Sequence, residues 1–529
     1  MVYNTIDSCR ICKCQNLKEV INLGNQGLAS VFPKIDDPDP NVVPLVLVRC
    51  SNIECGLLQL KHTVDNNEMY EQPYGYRSGI NNTMKTHLYN LVRTIRELVD
   101  LKNDDYVLDI GSNDATLLKF YGDEINKIGV DPTGTQFKDF YTDDITLYST
   151  YFTAGLFTQK VKVVTSISMF YDLPEPVQFM KDVKSILHED GVWVMEQSYM
   201  PDMLKLNSFD TICHEHLEYY ALKQIVYMCN LSELQIFDIE FNTCNGGSFR
   251  VYITHKGSNT YTINYEIINE TLKTEQTLNL DSDEIYSEFN ARCDEIKHEF
   301  FKVIKGFPMD QVYLYGASTK GNTLLQHWGV DNTIVKGAAE RNPRKFGCKT
   351  PNTNIPIVSE EEMRSVNPKC LIVLPWHFKD EFIQREHAYL AQGGTMVFPL
   401  PRLSVVKYNT INVPVSYGEL LDKITILEIK LENIKNDTAL YNIKNELHML
   451  TSLLPDNLET FKTKLKDVNK IIWDTEEALH TFEKTEKFDN DFIQMARNAY
   501  NTNDKRAAIK KEVNIFVGST ILEEKSFNY

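Results

Sequence analysis

Val107-Leu108-Asp109-Ile110-Gly111-Ser112-Asn113-Asp114 is the stretch on which the fold turns. An apolar strand runs into an acid and a glycine, and the residues from about Ala115 read as the start of a helix. Glycine lets the backbone come close to a ligand. Next, Ile128-Gly129-Val130-Asp131-Pro132 is a second short strand closing on an acid. A carboxylate there can accept both hydroxyls of a ribose. The tight turn has the single glycine Gly111, not the G-x-G-x-x-G of dinucleotide sites. Asp109, Gly111, Asn113, Asp114, Asp131 and Pro132 are therefore the candidate cofactor residues, and the pattern favours S-adenosylmethionine over NAD. A lone D-x-G after a strand is often only a strand-to-helix turn; the spacing to Asp131 tips the reading.

Working outward, short apolar strands at Tyr106–Ile110, Lys127–Val130, Lys162–Thr165 and Gly191–Glu196 alternate with helical stretches, as in an α/β domain over residues 71–300. A second Rossmann-like α/β segment is expected over 301–405. There, Val312-Tyr313-Leu314-Tyr315-Gly316-Ala317-Ser318-Thr319-Lys320-Gly321-Asn322 reads as strand, Gly/Ser/Thr loop and helix. Such a loop offers N–H groups and hydroxyls to phosphate at a helix N-terminus. It lacks the Walker A spacing, so no ATPase is read. Leu374-Pro375-Trp376-His377-Phe378 is an unusual cluster at a strand end; its bland reading is a tryptophan packed beneath a loop. Residues 410–529 differ in kind. Leu420, Ile424, Leu427 and Leu431 recur at helical spacing, and the next strong strand signal comes only at Asn514–Val517. A mostly helical module is expected, suited to packing or homo-oligomer contacts rather than catalysis.

Residues 1–70 carry Cys9-x-x-Cys12, then Cys50 and Cys55 with four residues between them. Paired thiolates on two tight turns supply the tetrahedron zinc requires, and a segment this short otherwise lacks a core. Cys14 is an alternative to Cys12. With all four ligands from the protein, the metal is structural.

The whole chain has 529 residues, enough for two to four domains. Its formal net charge of −18 argues against a broad nucleic-acid face. No apolar run has membrane-spanning length, and Met1–Arg10 lacks a signal pattern, so a cytoplasmic protein is expected. The 11 cysteines are mostly scattered singly, unlike a disulfide framework.

Cys213-His214-Glu215-His216-Leu217-Glu218-Tyr219-Tyr220 concentrates titratable groups. The H-E-x-x-H spacing of helical zinc proteases is absent. Either this is a solvated loop or it moves protons, with a carboxylate orienting an imidazole. A tyrosine-rich stretch, Tyr70 to Ser78, precedes the α/β core; its tyrosines either pack or donate to a developing oxyanion.

Taken in order over roughly residues 7–402, these pieces resemble the sugar C-methyltransferases of deoxysugar pathways. The shared motifs include Cys55-Gly56-Leu57-Leu58-Gln59-Leu60, Tyr74–Ser78, Asp109–Asp114, His214–Tyr220, Asn245-Gly246-Gly247-Ser248-Phe249-Arg250, Gly316–Asn322 and Leu374–Phe378. The resemblance implies a zinc module, a class I S-adenosylmethionine methyltransferase domain and a second Rossmann-like domain, with a nucleotide sugar between them. It implies His216 as base, Glu215 as its orienting neighbour, Tyr76 as the active-site tyrosine, and His214 as a second catalytic candidate. Arg250, Ser318, Thr319, Lys320, Asn322, Trp376 and His377 are the implied substrate contacts. Three departures stand out. Cys213 replaces a tyrosine, and Ala115 replaces a glycine, a change tolerated if that residue is already helical. Phe170-Tyr171-Asp172 stands where relatives carry a histidine. The stretch from Val415 to Thr425 resembles a domain of unknown function found around glycan biosynthesis enzymes. The competing readings are O- or N-methylation of a nucleotide sugar, and a non-catalytic sugar-nucleotide-binding scaffold.

Overall fold

The computed structural model describes residues 3–64, 76–408, 413–451 and 453–524. The chain divides into two compact units, residues 1–379 with 395–406, and residues 380–394 with 407–529.

The first unit opens with β1 (Tyr3–Thr5), β2 (Leu17–Gly27), β3 (Val42–Cys50), β4 (Leu58–Leu60) and β5 (His62–Val64). Helix α1 (Asn82–Leu98) follows. Its Leu88, Leu91, Val92 and Ile95 are buried at the i, i+3, i+4, i+7 spacing of one apolar stripe. The Asn81 side chain caps its start by accepting from Thr83 N–H. That stripe packs on Val107, Val163, Val192 and Val194 of the main sheet. Burying each such side chain contributes roughly 1.5–3 kcal/mol.

The main sheet comprises β6 (Tyr106–Ile110), β7 (Asn126–Val130), β8 (Ile145–Tyr148), β9 (Val161–Ile167), β10 (Leu187–Ser198), β12 (Leu234–Asn242) and β13 (Ser248–His255); β11 (Glu218–Tyr219) belongs elsewhere. Its order is β12-β13-β10-β9-β6-β7-β8. The strands from β8 to β10 are parallel, while β13 is antiparallel to both neighbours. This is the sheet of class I methyltransferases. β11 instead joins the sheet β11-β4-β3-β2 of the cysteine module. Glu218 pairs with Gln59 and Tyr219 with Leu58.

A second sheet has β14 (Val312–Tyr315), β15 (Gly337–Glu340), β16 (Ile357–Ser359), β17 (Cys370–Val373), β18 (Thr395–Phe398) and β19 (Ser404–Lys407) in the order β16-β15-β14-β17-β18-β19. Its pairs from β16 to β18 are parallel. α2 (Glu284–Ile304) precedes it and α3 (Thr319–Trp328) follows β14.

The second unit is built on α4 (Tyr417–Asn433), α5 (Asp437–Thr451), α6 (Glu459–Lys484) and α7 (Asn490–Phe516). Leu421, Leu458, Leu465 and Val513 form its core. A buried polar set fixes register. Asn469 Nδ2 donates to Asp422 Oδ1 (2.7 Å) and Thr425 Oγ1 (2.9 Å), and Gly418 N–H donates to Asn514 Oδ1 (2.6 Å). No helix among the described residues is long and apolar enough to cross a membrane.

Two local expectations are corrected. Asn514–Val517 is not a strand: Asn514 to Phe516 end α7. Its β-branched pattern is overridden because Val513 and Asn514 are buried against the bundle. Ala115 does not begin a helix. It sits at φ +58°, and the first helical turn is the 3-10 turn Leu118–Phe120.

Candidate active site

The four cysteines converge. Cys9 and Cys55 sulfurs are 3.7 Å apart, Cys12 and Cys50 sulfurs 3.5 Å, and all four lie within 4.8 Å of one another. Thiolates at about 2.3 Å from a tetrahedral zinc stand roughly 3.8 Å apart, so this set fits the ion. Cys14 is not in the cluster; its backbone carbonyl accepts from Cys9 N–H instead, closing the knuckle.

The module reaches directly into the H-E-H segment. Beyond the β4–β11 ladder, Leu60 N–H donates to Leu217 O (2.8 Å) and Gln224 Nε2 to Cys55 O (2.7 Å). His214 Nε2 donates to Val43 O (3.1 Å) from a buried position. Burial drives its pKa down to about 4, so His214 is a neutral residue docked on β3. His216 faces the other way. Its Nδ1–H donates to Thr211 O (2.8 Å), which fixes Nε2 as the lone-pair nitrogen. The ring lies 4.3 Å from that of Tyr171 and lines a small cavity with Ser198, Thr211 and Tyr219. Burial, then the Lys320 cation, lowers its pKa to about 3. Glu215 is buried and accepts from the Cys213 thiol (3.4 Å); burial raises its pKa. It shares the site with His216 by sequence adjacency, with Ser30 at its carboxyl.

The cofactor loop follows β6 at the C-terminal edge of the sheet, between β9 and β7, where open α/β sheets bind ligands. Gly111 adopts φ +79°, and a Cβ there would come 3.0 Å from Met169. Asp131 accepts Asn113 N–H (2.7 Å) at one oxygen and Thr133 N–H (2.7 Å) at the other, so the acid clamps the loop. Pro132 follows it directly. Asp109 is buried and accepts from Thr165 Oγ1 (2.6 Å); burial pushes its pKa up to about 7. Asn113 and Asp114 also tie the loop to a distant segment. Asn113 Oδ1 accepts Ser78 N–H (3.0 Å), and Asp114 Oδ2 accepts Gly79 N–H (3.1 Å) beside Arg77 (3.3 Å). They hold the segment that carries Tyr76. Tyr76 is about half exposed as a residue, yet its hydroxyl end is crowded beside Ser78 and Cys244, and desolvation pushes its pKa up to about 12. Tyr70 and Tyr74 lie outside the described residues.

On the substrate side, Lys320 Nζ donates to Asn245 O (3.0 Å), joining α3 to the Asn245–Gly247 turn. Trp376 Nε1 donates to buried Asp210 Oδ2 (2.9 Å), and its ring closes on Gly246. His377 is lowered to about 3 by burial and by Lys320. Ser318 is spent as the α3 N-cap, accepting Gly321 N–H (3.0 Å), with Thr319 as the first helical residue. Asn322 Nδ2 donates to Ala29 O (2.7 Å) and so docks the first module. Arg250 is paired within the sheet. Its guanidinium lies across Glu196 (2.8 Å) and Glu240 (2.6 Å), its cross-strand neighbours on β10 and β12.

Three family models match in succession. Residues 9–70 match "Putative zinc binding domain", residues 243–401 match "C-methyltransferase C-terminal domain", and residues 411–529 match a family of unknown function. C-methyltransferase NovU of Streptomyces niveus is 25% identical over 419 residues, which is 77% of this chain and 98% of that protein. The chain is thus similar to C-methyltransferases over residues 243–401 and, more distantly, along most of its length. Among solved structures, an S-adenosylmethionine-dependent methyltransferase from Clostridium acetobutylicum aligns at 12% identity and TM-score 0.26, over 34% of this chain and 94% of that one. Magnesium protoporphyrin IX methyltransferase from Synechocystis, with bound SAM, aligns at 11% identity and TM-score 0.26, over 33% and 82%. The fold assignment to this methyltransferase class rests on the strand order above, not on these overlaps.

One buried group carries no motif in the sequence. His87 of α1 donates from Nε2 to Glu196 Oε1 (2.5 Å), with the Cys244 sulfur close by. Burial opposes the charge on Glu196, but His87 and Arg250 outweigh it and lower its pKa. The available signal was an acid closing the predicted strand Gly191–Glu196, where α/β sheets place functional groups.

Proposed function

We propose that this C-methyltransferase methylates a carbon beside the ketone of a nucleotide-linked keto-deoxysugar in the cytosol, with His216 as base. The observation that carries the reading is the Nδ1–H bond from His216 to Thr211 O, which leaves Nε2 as a proton acceptor. S-adenosylmethionine, when bound at the Asp109–Asp114 loop and Asp131, supplies an electrophilic methyl group. A ketone makes the neighbouring C–H acidic. His216 Nε2 takes that proton, and the carbon becomes nucleophilic as charge passes to the carbonyl oxygen. Tyr76, held protonated by its raised pKa, is a donor for that oxygen. Burial first, and then Lys320, depresses His216. A sugar-nucleotide phosphate at Lys320 would offset the second of these and make the base stronger.

The test is methyl transfer from labelled cofactor to a panel of dTDP-, UDP- and GDP-4-keto-6-deoxy sugars in deuterated water, beside His216→Ala. The expected result is label on sugar carbon, deuterium wash-in at the same carbon, and a loss of roughly 10²–10⁴-fold in the variant. Label on oxygen or nitrogen, or an unimpaired variant, refutes the mechanism.

A further inference from the structure

One titratable side chain next to the residues that line the His216 cavity, Tyr171, Glu218 and Tyr219, has no part in the steps above. Asp172 closes the 3-10 turn Phe170–Asp172, which follows the C-terminal end of β9. The turn connects both sides of the chemistry: Met169, just before it, packs on Gly111, and Tyr171 packs on the His216 ring. Asp172 is partly exposed as a residue, yet its Oδ1 is shut off from solvent with no hydrogen-bond partner among the described residues.

The groups facing it are Glu215 and Glu218, with Cys213 and Tyr219 alongside. Glu215 meets Ser30 and the Cys213 thiol, and Arg10 stands behind Glu218 at 3.6 Å. Among the described residues no lysine or arginine pairs with Asp172 or Glu215. Three neighbouring buried carboxyls with so little compensating charge cannot all be ionised. Burial first, then Glu215 and Glu218, pushes the Asp172 carboxyl well above its ordinary range. A carboxylic acid kept neutral by an apolar site is known to serve as an oxyanion donor.

We propose that Asp172, as a neutral carboxylic acid, donates its O–H to the substrate's carbonyl oxygen and so stabilises the enolate formed when His216 removes the adjacent C–H proton. The proposal rests on the enolate reading. The C–H pair moves into the C–C bond, the carbonyl π pair moves onto oxygen, and the proton goes to His216 Nε2. When the carbon bonds to the methyl, the methyl–sulfur bond breaks and its pair stays on sulfur, giving S-adenosylhomocysteine; the carbonyl re-forms and the acid proton remains on Asp172.

The test uses the full zinc-loaded chain and dTDP-4-keto-6-deoxyglucose, or whichever panel sugar the wild type methylates. Wild type, Asp172→Asn and Asp172→Ala are compared in methyl transfer, and in deuterium exchange of the sugar C–H with S-adenosylhomocysteine bound. Asp172→Ala is expected to slow both by about 10²–10³-fold, the cost of one oxyanion donor, with KM little changed. Asp172→Asn keeps a donor and recovers most of the rate. Wild-type kcat/KM should fall as rising pH ionises the acid, and this limb should vanish in Asp172→Asn. An unchanged limb in Asp172→Asn, or exchange in Asp172→Ala within threefold of wild type, overturns the proposal. If Asp172→Ala does not fold, the pH profile of Asp172→Asn decides. Failure of the wild type to exchange any keto sugar sinks the enolate reading itself, a result seen before any variant is compared.

Discussion

The first unit contains two sheets with parallel cores that use one device with different outcomes. In each, an acid at the end of the second strand captures the loop after the first. Asp131 accepts Asn113 N–H (2.7 Å) and Thr133 N–H (2.7 Å). Glu340 accepts Ala317 N–H (3.2 Å) and Arg341 N–H (2.7 Å). The second acid has a half-buried cation beside it, Lys345, at 3.9 Å, which also donates to Ala317 O (2.7 Å). Asp131 has no ion-pair partner among the described residues. The loops diverge as well. The second enters a true helix, α3, capped by Ser318, whereas the first passes through left-handed Asn113 and Ala115. Topology alone therefore does not say what a Rossmann-like edge binds. The first edge ends in carboxylates without a cation among the described residues; the second ends in a helix start with Lys320 in its first turn.

Removing zinc should break the comparison most severely, because the His216 segment is paired with the cysteine module through the β4–β11 ladder. Structural zinc is worth about 10–16 kcal/mol of apparent folding free energy in small modules. Chelation should release the β4–β11 ladder, and with it the setting of His216. Methyl transfer should fall at least about 100-fold, while S-adenosylhomocysteine affinity, read by calorimetry, changes little. Equal loss of both would mean the module supports the whole unit rather than the base.

Asp131→Ala comes next. Hydrogen bonds to a charged acceptor contribute about 1.5–3 kcal/mol each, so cofactor affinity should drop by about 10²-fold or more. Glu340→Gln should leave that affinity within twofold and lower stability by about 1 kcal/mol. Matching losses would erase the distinction between the two edges.

Asp109 sharpens the contrast through pH. The corresponding place before Gly316 is Leu314, which cannot titrate. Asp109 has its pKa raised by burial to about 7 from 3.8. Between those values the unfolded chain loses the proton and the native chain keeps it, so stability falls as pH rises through this window and levels off above it. Asp109→Asn, which still accepts from Thr165, should flatten that slope and raise the melting temperature at pH 8, read by calorimetry. An unchanged slope assigns the pH dependence to other carboxyls, such as Asp172.

What the sequence made legible follows from the range of the interactions. The strands around Asp109 and Asp131, and the four cysteines, are local patterns with one physical solution. The roles of Asn113 and Asp114 were not legible. They depend on the Ser78–Gly79 backbone arriving from about 35 residues away. Arg250 sits in a recognisable motif, yet its partners Glu196 and Glu240 are fixed by strand register, which composition does not encode. The split of His214 from His216, one docking and one facing the cavity, depends on β11 leaving the main sheet for the cysteine module.

The smallest expected effect concerns Ala115. A residue with a Cβ at φ +58° carries a penalty of roughly 1–2 kcal/mol, which glycine avoids. Ala115 is fully buried, and its backbone N–H donates to Ser112 O (2.8 Å), so the tight turn holds it there. Ala115→Gly should relieve the strain at the cost of a more flexible unfolded chain and a lost methyl contact. The net gain should be about 0.5–1 kcal/mol, read as a shift in the denaturant midpoint without change of slope. The reverse case is Gly316, at φ +93° in the second loop, where a Cβ would come 2.8 Å from Pro375. Gly316→Ala should therefore destabilise by more than Ala115→Gly stabilises. If Ala115→Gly instead destabilises, the buried methyl outweighs the backbone term, and the first loop is shaped by packing rather than strained against it.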